Sequence, residues 1–254
     1  MVSTEAARMT AGVIGNIVSF FLLLSPLPTF VQIWKKGSAE HYSPAPYLAT
    51  LLKCMVWTLY GLPMVHPNST LVLTINGSGT AIELTYIVLF FIFSNRKMRL
   101  GVFLSLLVEL IFISVLTTLV LTLTHSHKER SLIVGIISIL FSAMVYASPL
   151  MLLCVVQKMV LTTRSVEYMP FFLSFACFLS GLTWSTYSLI QFDLFILVPS
   201  VVGVVFSMAQ LILYAAFYKS TKRQIAEREG KAGQVNLLEL VENGAESKKV
   251  GGAP

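Results

Sequence analysis

Residues 11–34 hold no charged side chain. That run exceeds the roughly 20 apolar residues that cross a bilayer as a helix. Six more apolar runs follow, at about 46–63, 71–93, 102–123, 132–156, 169–190 and 195–218. In lipid the backbone must satisfy its own hydrogen bonds, so runs of this length read as spanning helices. Only 12% of the residues are charged, about half the ~25% of a soluble domain. The first run is too long for a signal peptide and contains Pro26 and Pro28. It predicts a spanning helix kinked at Pro26. Seven spanning helices are therefore expected.

The chain also contains one pattern twice. Lys53, Trp57 and Tyr60 are matched by Ser180, Trp184 and Tyr187 at an offset of 127 (184 − 57). Spacings of four and seven place each set on one helix face. Gly12, Ser19, Leu22, Ser25 and Pro26 are matched by Gly135, Ser142, Val145, Ser148 and Pro149 at an offset of 123 (149 − 26). Asn76 is matched by Ser200 at 124. Helices one to three thus recur as helices five to seven, and helix four is a linker. An odd linker helix gives both triplets the same orientation. The expected fold is an all-α membrane protein of two parallel three-helix repeats (3+1+3). Its parts are residues 7–96 and 131–222 for the repeats, 100–125 for the linker and 223–254 for a disordered tail. The tail is rich in Glu, Lys and Gly, with no sustained apolar period.

Basic residues set the expected orientation. One set of alternate loops holds Lys35, Lys36, Arg96, Lys97, Arg99, Lys158, Arg164, Lys219, Lys222 and Arg223, and the other only Arg8, Lys128 and Arg130. Ten against three places the N-terminus outside and the C-terminus in the cytoplasm. The formal charge of +6 is then accounted for by loops against anionic lipid, without nucleic acid. Three cysteines without CxxC spacing indicate neither a disulfide framework nor a zinc site. The sequon Asn68-Ser69-Thr70 lies at the membrane edge, and Asn76-Gly77-Ser78 inside a helix.

Long ordered motifs sit in this duplicated frame. They are Gly15-Asn16, Ser25-Pro26-Leu27-Pro28-Thr29-Phe30, Pro46-Tyr47, Thr74-Ile75-Asn76, Ser165-Val166-Glu167-Tyr168-Met169-Pro170-Phe171 and Gln210-Leu211-Ile212-Leu213-Tyr214. Over roughly residues 7–222 they resemble the SWEET (MtN3/saliva) family of plant sugar facilitators. Parallel repeats with a site at the membrane midplane are the arrangement described for that family. Leu59-Tyr60-Gly61-Leu62-Pro63 and Lys219-Ser220-Thr221 are similar to the subgroup associated with hexoses. The resemblance implies downhill movement of sugar by alternating access, without a cofactor or metal. It also fits a plasma-membrane carrier.

The residues support such a site on chemical grounds. A sugar has apolar C–H faces and a rim of hydroxyls, which suit aromatic rings and Asn or Ser side chains. Trp57 and Trp184, with Asn76 and Ser200, offer both. A lone Trp in a membrane helix is as often an interfacial anchor, but two in register at mid-helix favour a pocket. The resemblance implies the same four positions and adds Ser19, Leu22, Lys53, Ser142, Val145 and Ser180 as the wall. It implies an inner gate of Pro26, Pro46, Pro149 and Pro170. Tyr60 and Asp193 can close by a hydroxyl–carboxylate bond, which by resemblance is the outer gate.

Two positions depart from the family pattern. Ser200 stands where Asn is usual, and Lys53 where a neutral polar residue is usual. A mid-membrane Lys costs about 2.5–3.5 kcal/mol on insertion scales, so it must face water, a partner or substrate. Asp193 and Glu83 are its candidate partners. Val145 is small enough to leave room for a disaccharide, while the subgroup phrases favour a hexose. Glu83 and Glu109 raise proton-coupled transport as an alternative. Glu109 lies in the linker helix, and Glu83 reads as a locally paired structural acid.

Other classes fit less well. A seven-helix receptor is not a three-helix duplication. A retinal protein needs a Lys in the last span, and 195–218 has none. No HExxH, GxSxG or phosphate loop is present, so an enzyme is not indicated. A related PQ-loop carrier would carry Pro-Gln where this chain has Pro26-Leu27 and Pro149-Leu150. One chain holds both halves of the site, and a homo-oligomer is compatible with that.

Overall fold

The computed structural model describes the backbone of residues 2–39, 42–163 and 171–250, with side chains except at 2, 146–163 and 228–250. Among the described residues every regular element is a helix: α1 (Val2–Leu23), α2 (Leu27–Lys36), α3 (Ala45–Gly61), α4 (Thr70–Phe93), α5 (Arg96–Leu123), α6 (His127–Thr163), α7 (Phe171–Ile190) and α8 (Leu194–Val250). Ser3–Lys36 is one apolar stretch in two helical pieces, so α1 and α2 together form the first span, and four further helices among the described residues are long and apolar enough to cross a bilayer. The chain divides into two compact units, Met1–Leu152 with Phe172–Met208 and Leu153–Phe171 with Ala209–Pro254. The contacts of the candidate site all lie in the first.

The kink expected at Pro26 is a complete break. Pro26 has no N–H to give to Leu22, and the Leu22 carbonyl accepts from Ser25 N–H instead, at 3.1 Å. This tight turn ends α1, and α2 restarts with Pro26 at its N-cap. The matching helix α6 runs through Pro149 without interruption; the Pro149 side chain and all of Pro170 fall outside the described residues. The tail also differs from expectation. α8 continues to Val250, where no order was expected beyond 223. The residues after Ser220 include many strong helix formers, and Arg223 pairs with Glu227 one turn on, at 2.9 Å.

Within the first triplet, α3 and α4 lie closest. A Cβ on Gly79 would sit 2.9 Å from Cys54 Sγ, and one on Gly61 would sit 2.7 Å from the Leu73 backbone nitrogen. Glycine is what allows the two backbones to approach, as small residues do between membrane helices. At the Pro26 end of this triplet, Phe30 stacks on Tyr86 with centroids 4.3 Å apart, and Tyr47 meets both rings edge-on. Toward the Tyr60 end a second cluster joins Val56, Trp57, Tyr60 and Val72 to Val134, Tyr187 and Ile196 of the other triplet. The outward faces remain apolar: Phe103, Leu107, Val108, Leu110, Ile111 and Val115 of α5 are all exposed. Such a face suits lipid and would be a liability in water.

Gly61→Ala is expected to lower the thermal midpoint in detergent by several degrees. Its methyl must displace backbone, an overpacking cost of about 1–3 kcal/mol. Gly77→Ala, where a Cβ meets nothing within 4 Å, should leave the midpoint unchanged in the same assay.

Candidate functional site

The site is built from two helix faces that dock across the repeats. On α1, Gly12, Gly15 and Ser19 share a face and meet α7. A Cβ on Gly12 would be 2.9 Å from the Tyr187 ring, and one on Gly15 would be 3.2 Å from the Trp184 indole. Ser19 completes the stripe. Its hydroxyl accepts from Trp184 Nε1 at 3.0 Å and lies 2.9 Å from Ser180 Oγ.

The other pair of helices repeats the arrangement. Trp57 of α3 donates from Nε1 to Ser142 Oγ of α6 at 2.8 Å. Each indole therefore bonds the serine that opens the opposite repeat. Each Trp also meets the Tyr one turn on. Trp57–Tyr60 and Trp184–Tyr187 are both 5.4 Å apart, at 75° and 72°. Local geometry thus follows the duplication seen in the sequence.

Asn76 and Ser200 also behave as a pair, but they turn back on their own helices. Asn76 Nδ2 donates to Val72 O at 2.9 Å, and Ser200 Oγ donates to Ile196 O at 2.7 Å. Leu22, Val145 and Lys53 are half-buried. The Lys53 ammonium interacts electrostatically with the Glu83 carboxylate. Glu83 is buried at 3% exposure, and its Oε2 has no hydrogen-bond partner among the described residues. Glu83, one of the two candidate partners, is thus within electrostatic reach of Lys53. A separate open groove of about 380 Å³, lined by Asn16, Ile17, Phe20, Phe21, Thr74, Ile75 and Ser78, uses a different face of α1.

The Tyr60 end is shut. Tyr60 donates its hydroxyl to Asp193 at 3.0 and 2.9 Å from the two carboxylate oxygens. Asp193 also caps α8, accepting from Phe195 N–H at 3.0 Å and Ile196 N–H at 3.3 Å. Those two amides are among the first of α8, which an N-cap side chain satisfies. Tyr60 and Tyr187 are 0% and 2% exposed. At the opposite end Pro46 is exposed and Pro26 half-buried.

The sequence profile of the MtN3_slv family, described as a sugar efflux transporter for intercellular exchange, matches residues 9–98 and 132–222. These two segments bracket α5 and coincide with the two triplets. The chain belongs to the MtN3/SWEET family. It is 52% identical to the bidirectional sugar transporter SWEET4 of Oryza sativa subsp. japonica, over 100% of this chain and 96% of that one. It is 52% identical to SWEET7 of Arabidopsis thaliana, over 92% and 90%. A solved eukaryotic SWEET transporter shares 34% identity at a TM-score of 0.80, covering 85% of this chain and 99% of that chain.

Three residues at the closed end of this SWEET chain were not singled out by sequence. His66 stands in the short loop after α3, and its ring stacks on Tyr60, with centroids 4.7 Å apart at 16°. Its Nε2 lies 3.4 Å from Asp193 Oδ2, and its Nδ1 lies 2.9 Å from Ser131 Oγ. Ser131 gives its own hydrogen to Val65 O at 2.8 Å. Arg8 reads as a loop charge, yet its guanidinium carbon sits 4.2 Å from the Tyr187 ring centre. One signal was present: Arg8 and Ser131 are separated by the repeat offset of 123.

Burial pushes the His66 imidazole below the ordinary histidine range; Asp193 opposes this and Arg8 adds to it. A histidine depressed in the folded state contributes its stability above its unfolded pKa of about 6.5 and loses it as pH falls through that value. The detergent-solubilised protein is therefore expected to lose thermal stability between about pH 7 and 5. His66→Gln should flatten that part of the profile.

Proposed function

We propose that this chain carries a hexose-like sugar down its gradient, in either direction, by alternating access. The observation that carries the reading is the reciprocal pair of indole–serine bonds at the centre of two parallel repeats. Trp57 and Trp184 offer flat apolar rings to the C–H faces of a pyranose. Ser19, Ser142 and Ser180, with Asn76 and Ser200, offer hydroxyls and an amide to its rim. The indole N–H groups are taken up by Ser142 and Ser19. An entering sugar exchanges those bonds for its own hydroxyls, and so loosens the tie between the repeats as it binds. Binding thereby lowers the cost of rocking one triplet against the other.

The basic-residue count supports placing the Tyr60 end outside and the Pro26 end toward the cytoplasm. The structure then corresponds to a carrier shut on the outside by Tyr60 and Asp193. The four prolines Pro26, Pro46, Pro149 and Pro170 form the inner gate of this reading, at the plasma membrane. Hexose rather than sucrose is supported by the subgroup phrases around Tyr60 and Lys219, and movement in either direction by the named relatives being bidirectional sugar transporters.

The test is uptake of labelled glucose and sucrose into proteoliposomes, with and without a proton gradient. Glucose is expected to equilibrate without accumulating, at a rate indifferent to the gradient. Accumulation driven by pH would replace uniport with symport, and failure of the folded protein to move any sugar would refute the reading.

Lys53 is assigned a substrate contact. Its ammonium donates to sugar hydroxyls while Glu83 offsets the charge. Lys53→Asn is expected to weaken apparent glucose affinity by about tenfold or more, the loss of a charged hydrogen bond being about 1.5–3 kcal/mol. If both affinity and maximal rate stay at the wild-type values, the contact does not exist.

A further inference from the structure

The closed end has a second half that mirrors the Tyr60–Asp193 contact. Tyr187 is the repeat mate of Tyr60 at the offset of 127. Its hydroxyl reaches the Asn68 carbonyl at 3.4 Å, a contact weak by itself. Asn68 lies two residues before α4, next to Ser69, the repeat mate of Asp193, which lies immediately before α8. Each tyrosine thus crosses to the start of the last helix of the opposite triplet.

Arg8 strengthens this weak contact. Its guanidinium lies 4.2 Å from the centre of the Tyr187 ring, within the range of a cation–π interaction. It donates from Nη1 to the same Asn68 carbonyl at 3.1 Å. Gly12, one turn further along α1, leaves the space that the ring occupies, since a Cβ there would be 2.9 Å from Tyr187. Tyr187 is consequently enclosed at 2% exposure. His66 covers Tyr60 in the same way that Arg8 covers Tyr187.

We propose that Arg8 is a positioning residue for a second outer latch, in which it holds the Tyr187 ring and the Asn68 carbonyl together while the outside is shut. The outer gate is then double. One latch is a phenol on a carboxylate, and the other a phenol and a guanidinium on a main-chain carbonyl. Opening separates Tyr187 from Asn68 and strips Arg8 of both contacts at once. The guanidinium thus biases the carrier toward the outward-closed state without touching sugar. This inference rests on the alternating-access reading for its meaning in transport, but its test does not use sugar.

Amide hydrogen exchange on the full-length protein in lipid nanodiscs reads the latch directly. The amides of Val65, His66, Asp193 and Leu197 are hydrogen-bonded in the closed end. Arg8→Ala is expected to speed exchange of segments 64–73 and 193–197 by about tenfold or more, the loss of a cation–π contact and a charged hydrogen bond. Arg8→Lys, which keeps a cation over the ring, should restore most of the protection. Tyr187→Phe should give a smaller rise confined to the same segments. Unchanged exchange in Arg8→Ala overturns the proposal. So does a uniform rise along the chain, which would make Arg8 a general stabiliser, or a lysine variant as fast as the alanine variant. Wild-type sugar uptake, measured separately, decides the transport reading whatever the exchange shows.

Discussion

An indole N–H at the middle of a bilayer cannot fall back on water. Left unpaired, such a group costs several kcal/mol, roughly the 2–7 kcal/mol of an unsatisfied buried amide. This chain has two, on Trp57 and Trp184, and each donates to a serine of the other repeat. That requirement fixes which helices must touch. α1 has to meet α7, and α3 has to meet α6, because Ser19 and Ser142 stand on α1 and α6. The glycines at 12 and 15 follow, since a side chain at either position would hold α1 away from the aromatic rings.

The two halves are alike in shape and unlike in charge. Trp–Tyr geometry agrees within a few degrees between the repeats. Yet Lys53 stands opposite Ser180, and Asp193 stands where the first repeat has Ser69, at the offset of 124 that also relates Asn76 to Ser200. Both charges have been absorbed locally. Lys53 interacts with Glu83 of the neighbouring helix, and Asp193 is held by Tyr60 and the first amides of α8. Duplication supplies the scaffold, and these substitutions make one face of it different from the other.

The helices, their pairing into triplets and the mid-helix tryptophans were legible because apolar run length and fixed offsets are properties of the chain itself. The Tyr60–Asp193 contact was reachable because a hydroxyl and a carboxylate are chemically matched. His66 and Arg8 were not reachable in that way. Their partners are an aromatic face and a backbone carbonyl, and neither appears as a residue type that asks for histidine or arginine. The break at Pro26 and the unbroken α6 at Pro149 come from the same residue in matched positions. A proline alone does not say whether a helix will bend, stop or continue.

Asn68 has φ 61, the single left-handed conformation among the described residues other than glycine. That twist aims its carbonyl at Arg8 and Tyr187. The acceptor is main chain, so what selection must preserve at this position is a backbone shape and not an amide side chain. Glycine or aspartate tolerates that shape, whereas a β-branched residue resists it. The position can therefore drift among small turn formers while the contact persists. A glycan on the Asn68 side chain would leave the acceptor atom itself in place.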